Sequence, residues 1–221
     1  DDYRVEGANA DLIKRWATLP YLITRPNFMA RTDPQWQAAD SYQFGRRFFF
    51  ELGNRPESLL WQARAMIVVL GVVLGWLIFT CSRELFGPSG GLVSLTVYCF
   101  SPHFLAFGGF VSTDLSIVLT LFAATWLIWR LLHEVTVGRV LASLACFGLL
   151  LLAKMAAVAI FPITAVLLVA RFLARRPLQL SWRGRRRELP DRRGQALVFA
   201  SLVLLHAAAG WTAIWAHYGF R

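Results

Sequence analysis

The sequence predicts an all-α fold, a polytopic transmembrane helical bundle with extracytoplasmic juxtamembrane amphipathic helices. Three observations carry this. The 221-residue chain is 57% hydrophobic and only 16% charged, with nine Trp and seventeen Phe. A soluble domain carries about 25% charged residues and shows clearer amphipathic alternation. Apolar residues also come in unbroken blocks: 65–82 is eighteen residues without a charge, and 196–216 is twenty-one. Blocks of that length match the roughly 20 residues an α-helix needs to cross the hydrocarbon core. Finally, the net charge of +10 is unevenly spread. Residues 1–62 carry eight basic and eight acidic groups, whereas 171–193 carry nine Arg against two acids. A basic cluster beside a membrane block reads as a cytoplasmic anchor under the positive-inside rule, so the lipid bilayer is the expected partner and nucleic acid is not.

Residues 1–62 read as a first extracytoplasmic loop with two amphipathic helices lying at the membrane interface. In "NADLIKRWATLP", Asn9 is an N-cap; Leu12, Ile13, Trp16 and Leu19 share one face, and Pro20 stops the helix. "RTDPQWQAADSYQFGRRFFFELG" repeats that grammar, with Asp33 as cap, Pro34 opening the helix and Gly53 ending it. Its Phe48, Phe49 and Phe50 suit an interfacial helix, apolar below and charged above.

Residues 63–221 read as six spans, at about 64–82, 91–107, 115–130, 138–153, 155–171 and 196–216. "RELFGPSGG" is a tight loop with Gly87-Pro88 and Gly90-Gly91 as breakers, and the Arg-rich segment 172–195 is a cytoplasmic loop. No turn residue marks a split at Lys154, so parity decides it. Two crossings over 138–171 put Arg83, Arg130, Arg139 and the Arg cluster 171–193 on the cytoplasmic side. Residues 1–62, Asp114, Lys154 and the C-terminal end then face outward. The two spans around Lys154 are short, which leaves a re-entrant pair open. Cys81, Cys99 and Cys146 share no metal-like spacing and read as small hydrophobes. The chain starts at Asp1 without Met or a signal-like segment and reads as a piece of a longer polypeptide.

The stretch "FGGFVSTDLSIVLT" sets one carboxylate, Asp114, between two long uncharged runs, 85–113 and 115–129. Topology brings it to the same outer face as Lys154. An ionisable group inside the hydrocarbon costs about 2.5–3.5 kcal/mol, so such groups face a cavity or a partner. Asp114 also suits a helix cap after Ser112-Thr113, and Lys154 could snorkel to the surface.

Four stretches carry a family resemblance: "DYRVEGANADLIKRWATLPYLI", "RELFGPSGGLVSLTVYCFSPHFLAFGGFVSTDLS", "LLLLAKMAAVAIFPI" and "WAHYGF". In that order they resemble the bacterial polyprenyl-phosphate-sugar-dependent glycosyltransferases of the GT-C superfamily. The similar branch is that of protein mannosyltransferases and aminoarabinose transferases, glycosyltransferase family 39-like. The resemblance implies a membrane enzyme of the bacterial cytoplasmic (inner) membrane, moving a sugar from a polyprenyl-phosphate donor to a protein, lipid or glycan acceptor at the outer face, with inversion. It also implies two catalytic acids in successive outer loops. Asp114 matches the second; the first is expected upstream of "DYRVEG", so this piece alone is expected to be inactive. The chain departs from relatives in having "EGANADL" where they often show His-Pro-Pro.

Sugar transfer needs a base near the acceptor proton and a fixed cation for the departing phosphate. Asp114 is the catalytic candidate, and three roles are open to it: positioning the acceptor, assisting the first acid, or holding a divalent cation. No other cofactor is expected. Lys154, with Arg15 and Arg64, is the candidate for the donor phosphate. His103 and Asn9 are candidate acceptor or donor contacts, His103 reading more readily as a buried, hydrogen-bonded histidine. The alternative to an enzyme is a membrane transporter or lipid flippase with Asp114 and Lys154 in its path.

Overall fold

The structure is a computed structural model that describes residues 12–182 and 185–220. It is all-α, 76% helical, with ten α-helices among the described residues and one small sheet. The chain divides into two compact units, residues 1–115 and 116–221.

In the first unit, α1 (Leu12–Ala17) buries Ile13 and Ala17 against the next long helix, and the Trp16 indole Nε1 donates to the Met66 carbonyl at 2.8 Å. The helix ends a turn before Pro20, leaving Leu19 43% exposed rather than on the buried face. Pro20 instead opens α2 (Tyr21–Thr24), whose Tyr21 hydroxyl reaches the Leu59 carbonyl at 2.8 Å. Where the spacing predicts one helix from Pro34 to Gly53, the chain makes two. Asp33 caps α3 (Pro34–Ala38) as expected, but Ala39 turns left-handed at φ 54°. Asp40 then accepts from the Tyr42 and Gln43 amides and starts α4 (Ser41–Phe50). A second aspartate able to satisfy orphan amides makes the restart cheap. Phe28 packs on Phe44 and Phe48 with centroids 5.7 and 5.0 Å apart, whereas Phe50 is 75% exposed.

The long helix α5 (Pro56–Cys99) folds back on itself. Gly87 alone leaves helical geometry, at φ 79° and ψ −177°, and Pro88 follows it. The reversal is evident from what meets across it. Tyr98 hydroxyl donates to the Gly71 carbonyl at 2.8 Å, and Ser82 and Ser94 hydroxyls lie 2.8 Å apart. A straight helix would separate residues 71 and 98 by about 40 Å. Small residues make the hairpin tight: a Cβ on Gly75 would stand 3.0 Å from the Tyr98 ring, and one on Gly91 3.1 Å from Phe79. After Cys99 the chain breaks, and Pro102 opens the short α6 (Pro102–Phe107).

In the second unit, α7 (Thr113–His133), whose first turn belongs to the first unit, leads into β1 (Glu134–Thr136) and α8 (Val137–Leu151), with Thr136 accepting from the Arg139 amide as N-cap. A 3₁₀ helix (Met155–Ala159) and α9 (Ile160–Leu173) follow. The segment read from sequence as a plain Arg-rich loop forms β2 (Leu178–Trp182) and β3 (Arg185–Leu189), after which α10 (Arg192–His217) runs to the end. Strand β2 pairs in parallel with β1 and antiparallel with β3. The loop before α8 and the loop after α9 are therefore hydrogen-bonded at one end of this unit, and α8 and α9 run out and back. Arg171, 5% exposed, fastens that end. Its guanidinium donates to the Leu132, Arg176 and Pro177 carbonyls at 2.6, 2.8 and 3.0 Å. These are orphan acceptors at the end of α7 and ahead of β2, and a five-donor fork suits them. At the same end Arg139 pairs with Glu134 at 2.7 Å.

Among the described residues four helices are long and apolar enough to cross a membrane: Pro56–Cys99, Thr113–His133, Met155–Leu173 (the 3₁₀ turn with α9) and Arg192–His217. Val137–Leu151 is shorter. Only 11% of the apolar window of α10 is buried, and exposed apolar surface on that scale calls for lipid.

Candidate active site

Asp114 is held by the entry to α7. The preceding α6 ends at Phe107 with Gly108 as its C-cap, where a Cβ would sit 2.5 Å from the Phe104 carbonyl, so a side chain there would force the backbone to shift. Ser112 contributes at the helix entry, its hydroxyl accepting from the Asp114 amide at 3.4 Å. Asp114 occupies the first turn, is exposed, and gains the stabilisation that an acid receives from the helix N-terminus. Its neighbour Leu115 is buried and reaches the face of α5 at Gly71, where the Tyr98 hydroxyl also lands. Arg64 stands seven residues earlier on that helix, about 10 Å along its axis.

Arg15 is exposed on α1, which the Trp16–Met66 hydrogen bond holds beside the turn of α5 that carries the exposed Arg64. Asn9 lies outside the described residues. His103 corrects the sequence reading: it is exposed, not buried, and makes no hydrogen bond among the described residues. Its ring lies 4.9 Å from Phe107, which is 6.1 Å from Phe110, so an aromatic band leads from α6 towards the turn before Asp114. Arg15, Arg64, His103 and Asp114 all belong to the first unit.

Lys154 belongs to the second unit. It is half-buried and fully extended, at φ −168° and ψ 156°, between the end of α8 and the 3₁₀ helix. The 15 residues of α8 span about 22 Å, short of the roughly 30 Å hydrocarbon core. Leu151 and Phe161, on either side of Lys154 in sequence, line an apolar cleft of about 430 Å³ that α10 closes with Phe199, His206 and Trp211.

One polar feature within this unit had no sequence signal beyond a lone histidine in an apolar run. His206 joins α10 to α8 through a 2.8 Å Nε2–Oγ hydrogen bond with Ser143, and its Nδ1 lies 2.7 Å from the Leu202 carbonyl. Gly210 allows the approach, since a Cβ there would stand 2.6 Å from Leu151. The pair reads as a lock between helices, each partner satisfying the other away from water. Among the described residues no three His, Cys, Asp or Glu side chains gather into a group that could hold a metal ion.

The fold and these sites define a multi-pass, all-α membrane protein. The chain belongs to the dolichyl-phosphate-mannose-protein mannosyltransferase family, whose match covers residues 44–183 and includes both Asp114 and Lys154. That is a family of GT-C-type membrane glycosyltransferases, and it lends nothing to the transporter reading. No curated protein and no solved structure matches the chain.

Proposed function

We propose that the protein transfers a sugar from a polyprenyl-phosphate donor to an acceptor hydroxyl or amine at the outer face of a bacterial cytoplasmic membrane. The observation that carries this reading is the family match across 44–183, with an acid at the mouth of one apolar helix and a lysine at a break between two others. The acceptor heteroatom attacks the anomeric carbon, and the bond from that carbon to the phosphate oxygen breaks. The configuration inverts, the phosphate leaves with an added negative charge, and the acceptor loses a proton. Asp114 orients the acceptor and draws off its proton, and its charge stabilises an oxocarbenium-like transition state.

Lys154 meets the departing phosphate, where a fixed cation in a low-dielectric setting lowers the barrier. The shortness of α8 supports this: it lets lysine sit below the bilayer surface, at the depth of a lipid phosphate. The neighbouring apolar cleft suits the donor's isoprenoid tail. Arg15 and Arg64 supply further positive charge at the interface. In the same proposal residues 1–62 and the C-terminal end lie outside, the six segments 64–82 to 196–216 cross, and the Arg-rich loop is cytoplasmic.

The test is sugar transfer in membranes holding the full-length protein, with radiolabelled polyprenyl-phosphate sugars and matched expression. Asp114→Asn is expected to lower transfer by about 100-fold or more. Lys154→Ala is expected to lower it by at least about 10-fold through the phosphate step. Transfer equal to wild type in Asp114→Asn would reduce that residue to a helix-terminus charge and sink the proposed role.

A further inference from the structure

The Arg-rich segment is not a slack tether. Strand β2 is held between β1 and β3, Leu178 is fully buried, and Gln195 at the start of α10 donates to the Leu189 carbonyl at 2.8 Å and the Arg176 carbonyl at 3.3 Å. The hairpin is therefore rigidly joined to the ends of α9 and α10. Strand β3 forms one edge of the sheet and carries Arg185, Arg186 and Arg187 in succession, all exposed. Strand side chains alternate, so Arg185 and Arg187 lie on one face and Arg186 on the other. Arg175 and Arg176 precede β2, and Arg192 and Arg193 follow β3, again exposed.

None of these seven guanidinium groups forms an ion pair among the described residues. Elsewhere in the protein arginines do find carboxylates: Arg47 with Asp33 at 2.7 Å and Arg139 with Glu134 at 2.7 Å. Across the ladder, Arg187 stands opposite Leu180 and Arg186 opposite Ser181. The two acids nearby do not change the balance. Glu188 faces Gln179, and Asp191 is committed to the Gly194 amide at 2.8 Å as the N-cap of α10. The segment follows one membrane-length helix by two residues and opens another. It therefore sits at the level where lipid phosphates begin.

We propose that the β2–β3 hairpin is a binding surface for anionic phospholipid headgroups, its arginine edge receiving the phosphates of the leaflet in which α9 and α10 end. Guanidinium forks match phosphate oxygens in pairs, which a lysine tether would not do as well. The edge arginines also bar the strand from pairing with a second copy, because like charges would meet across the new ladder. The inference needs the helices to lie in a bilayer but needs no sugar transfer, so its failure would leave the transferase reading standing.

Native mass spectrometry of the chain in detergent, offered phosphatidylglycerol and phosphatidylcholine in equal amounts, tests it. Wild type is expected to retain phosphatidylglycerol preferentially, and less so as ionic strength rises. R185Q/R186Q/R187Q is expected to lose about tenfold of that preference, with R185K/R186K/R187K, which keeps the charge but not the forks, falling between it and wild type. R175Q/R176Q leaves the strands untouched and is expected to lose part of it, which separates charge from damage to the sheet. No preference in wild type, or a loss below about twofold in both glutamine variants, overturns the proposal.

Discussion

Asp33 shows how one residue can tie a loop region to pH. Its carboxylate accepts from the Gln35 amide at 2.9 Å and from Arg47 at 2.7 Å. The Gln35 amide chiefly holds its pKa below the usual carboxylate value; burial opposes this, and the Arg47 guanidinium, by hydrogen bond and by charge, adds to the lowering. A depressed folded pKa means that the stabilisation is complete above the unfolded value and disappears as pH falls through the folded one. Aromatic fluorescence of the Trp36 region during an acid titration is expected to report loosening of α3 and α4 below about pH 4, with Asp33→Asn shifting or flattening the transition. Asn54 ties the same region together without titrating, donating to the Asn27 and Phe48 carbonyls at 2.9 and 2.7 Å while accepting from the Asn27 amide at 2.8 Å. Asn54→Ala is expected to cost about 1–3 kcal/mol in chemical unfolding of the protein in micelles. Neither asparagine stood out in the sequence, because their partnership spans 27 residues.

At the scale of elements, the sequence was most legible where backbone chemistry decides. Gly87-Pro88 announced a break, and the hairpin turns there. Gly87 holds a conformation open almost only to glycine, so Gly87→Ala is expected to destabilise the α5 hairpin by about 1–3 kcal/mol, read as a lowered unfolding temperature in micelles. Asp33-Pro34 announced a helix start, but the second start at Asp40 was missed, because the hydrophobic pattern runs on through Ala38 and Ala39 without a break. The break at Lys154 had no turn residue to mark it, and parity of the charged loops argued for it instead. In the structure α8 stops at Leu151 and the chain turns through a 3₁₀ helix. The short reach of α8 agrees with the short span read between Arg139 and Lys154, but its stop at Leu151 is a feature no apolar count reveals, since 149–153 is as apolar as the helix before it.

For the whole molecule, the arrangement of loops matters more than any single span. Pairing of β1 with β2 joins the two basic loops of the second unit, and Arg171 secures them through three carbonyls. Arg171→Met is expected to leave those acceptors buried and unmet, at a cost of about 2–4 kcal/mol, with faster amide hydrogen exchange along β2 as the local readout. The proposed topology predicts that single cysteines at positions 154 and 186, in a background free of Cys81, Cys99 and Cys146, react with membrane-impermeant thiol reagents from opposite sides of sealed vesicles. Labelling from one side at both positions would demand a different threading, and labelling of both from the inside would remove Lys154 from the outer face.

Composition and the spacing of charge determined by themselves that this chain is a helical membrane protein, because a bilayer imposes length, apolarity and basic flanks on any segment that crosses it. They also singled out Asp114 and Lys154, since an isolated charge in such surroundings is conspicuous in one dimension. Tertiary structure alone decided that His103 is exposed, that Ser143 meets His206, and that the arginine loop folds into a sheet. The last two depend on which distant groups arrive to satisfy a donor or acceptor, and the first on which neighbours fail to cover the ring. That pairing is set by packing, and periodicity carries no record of it.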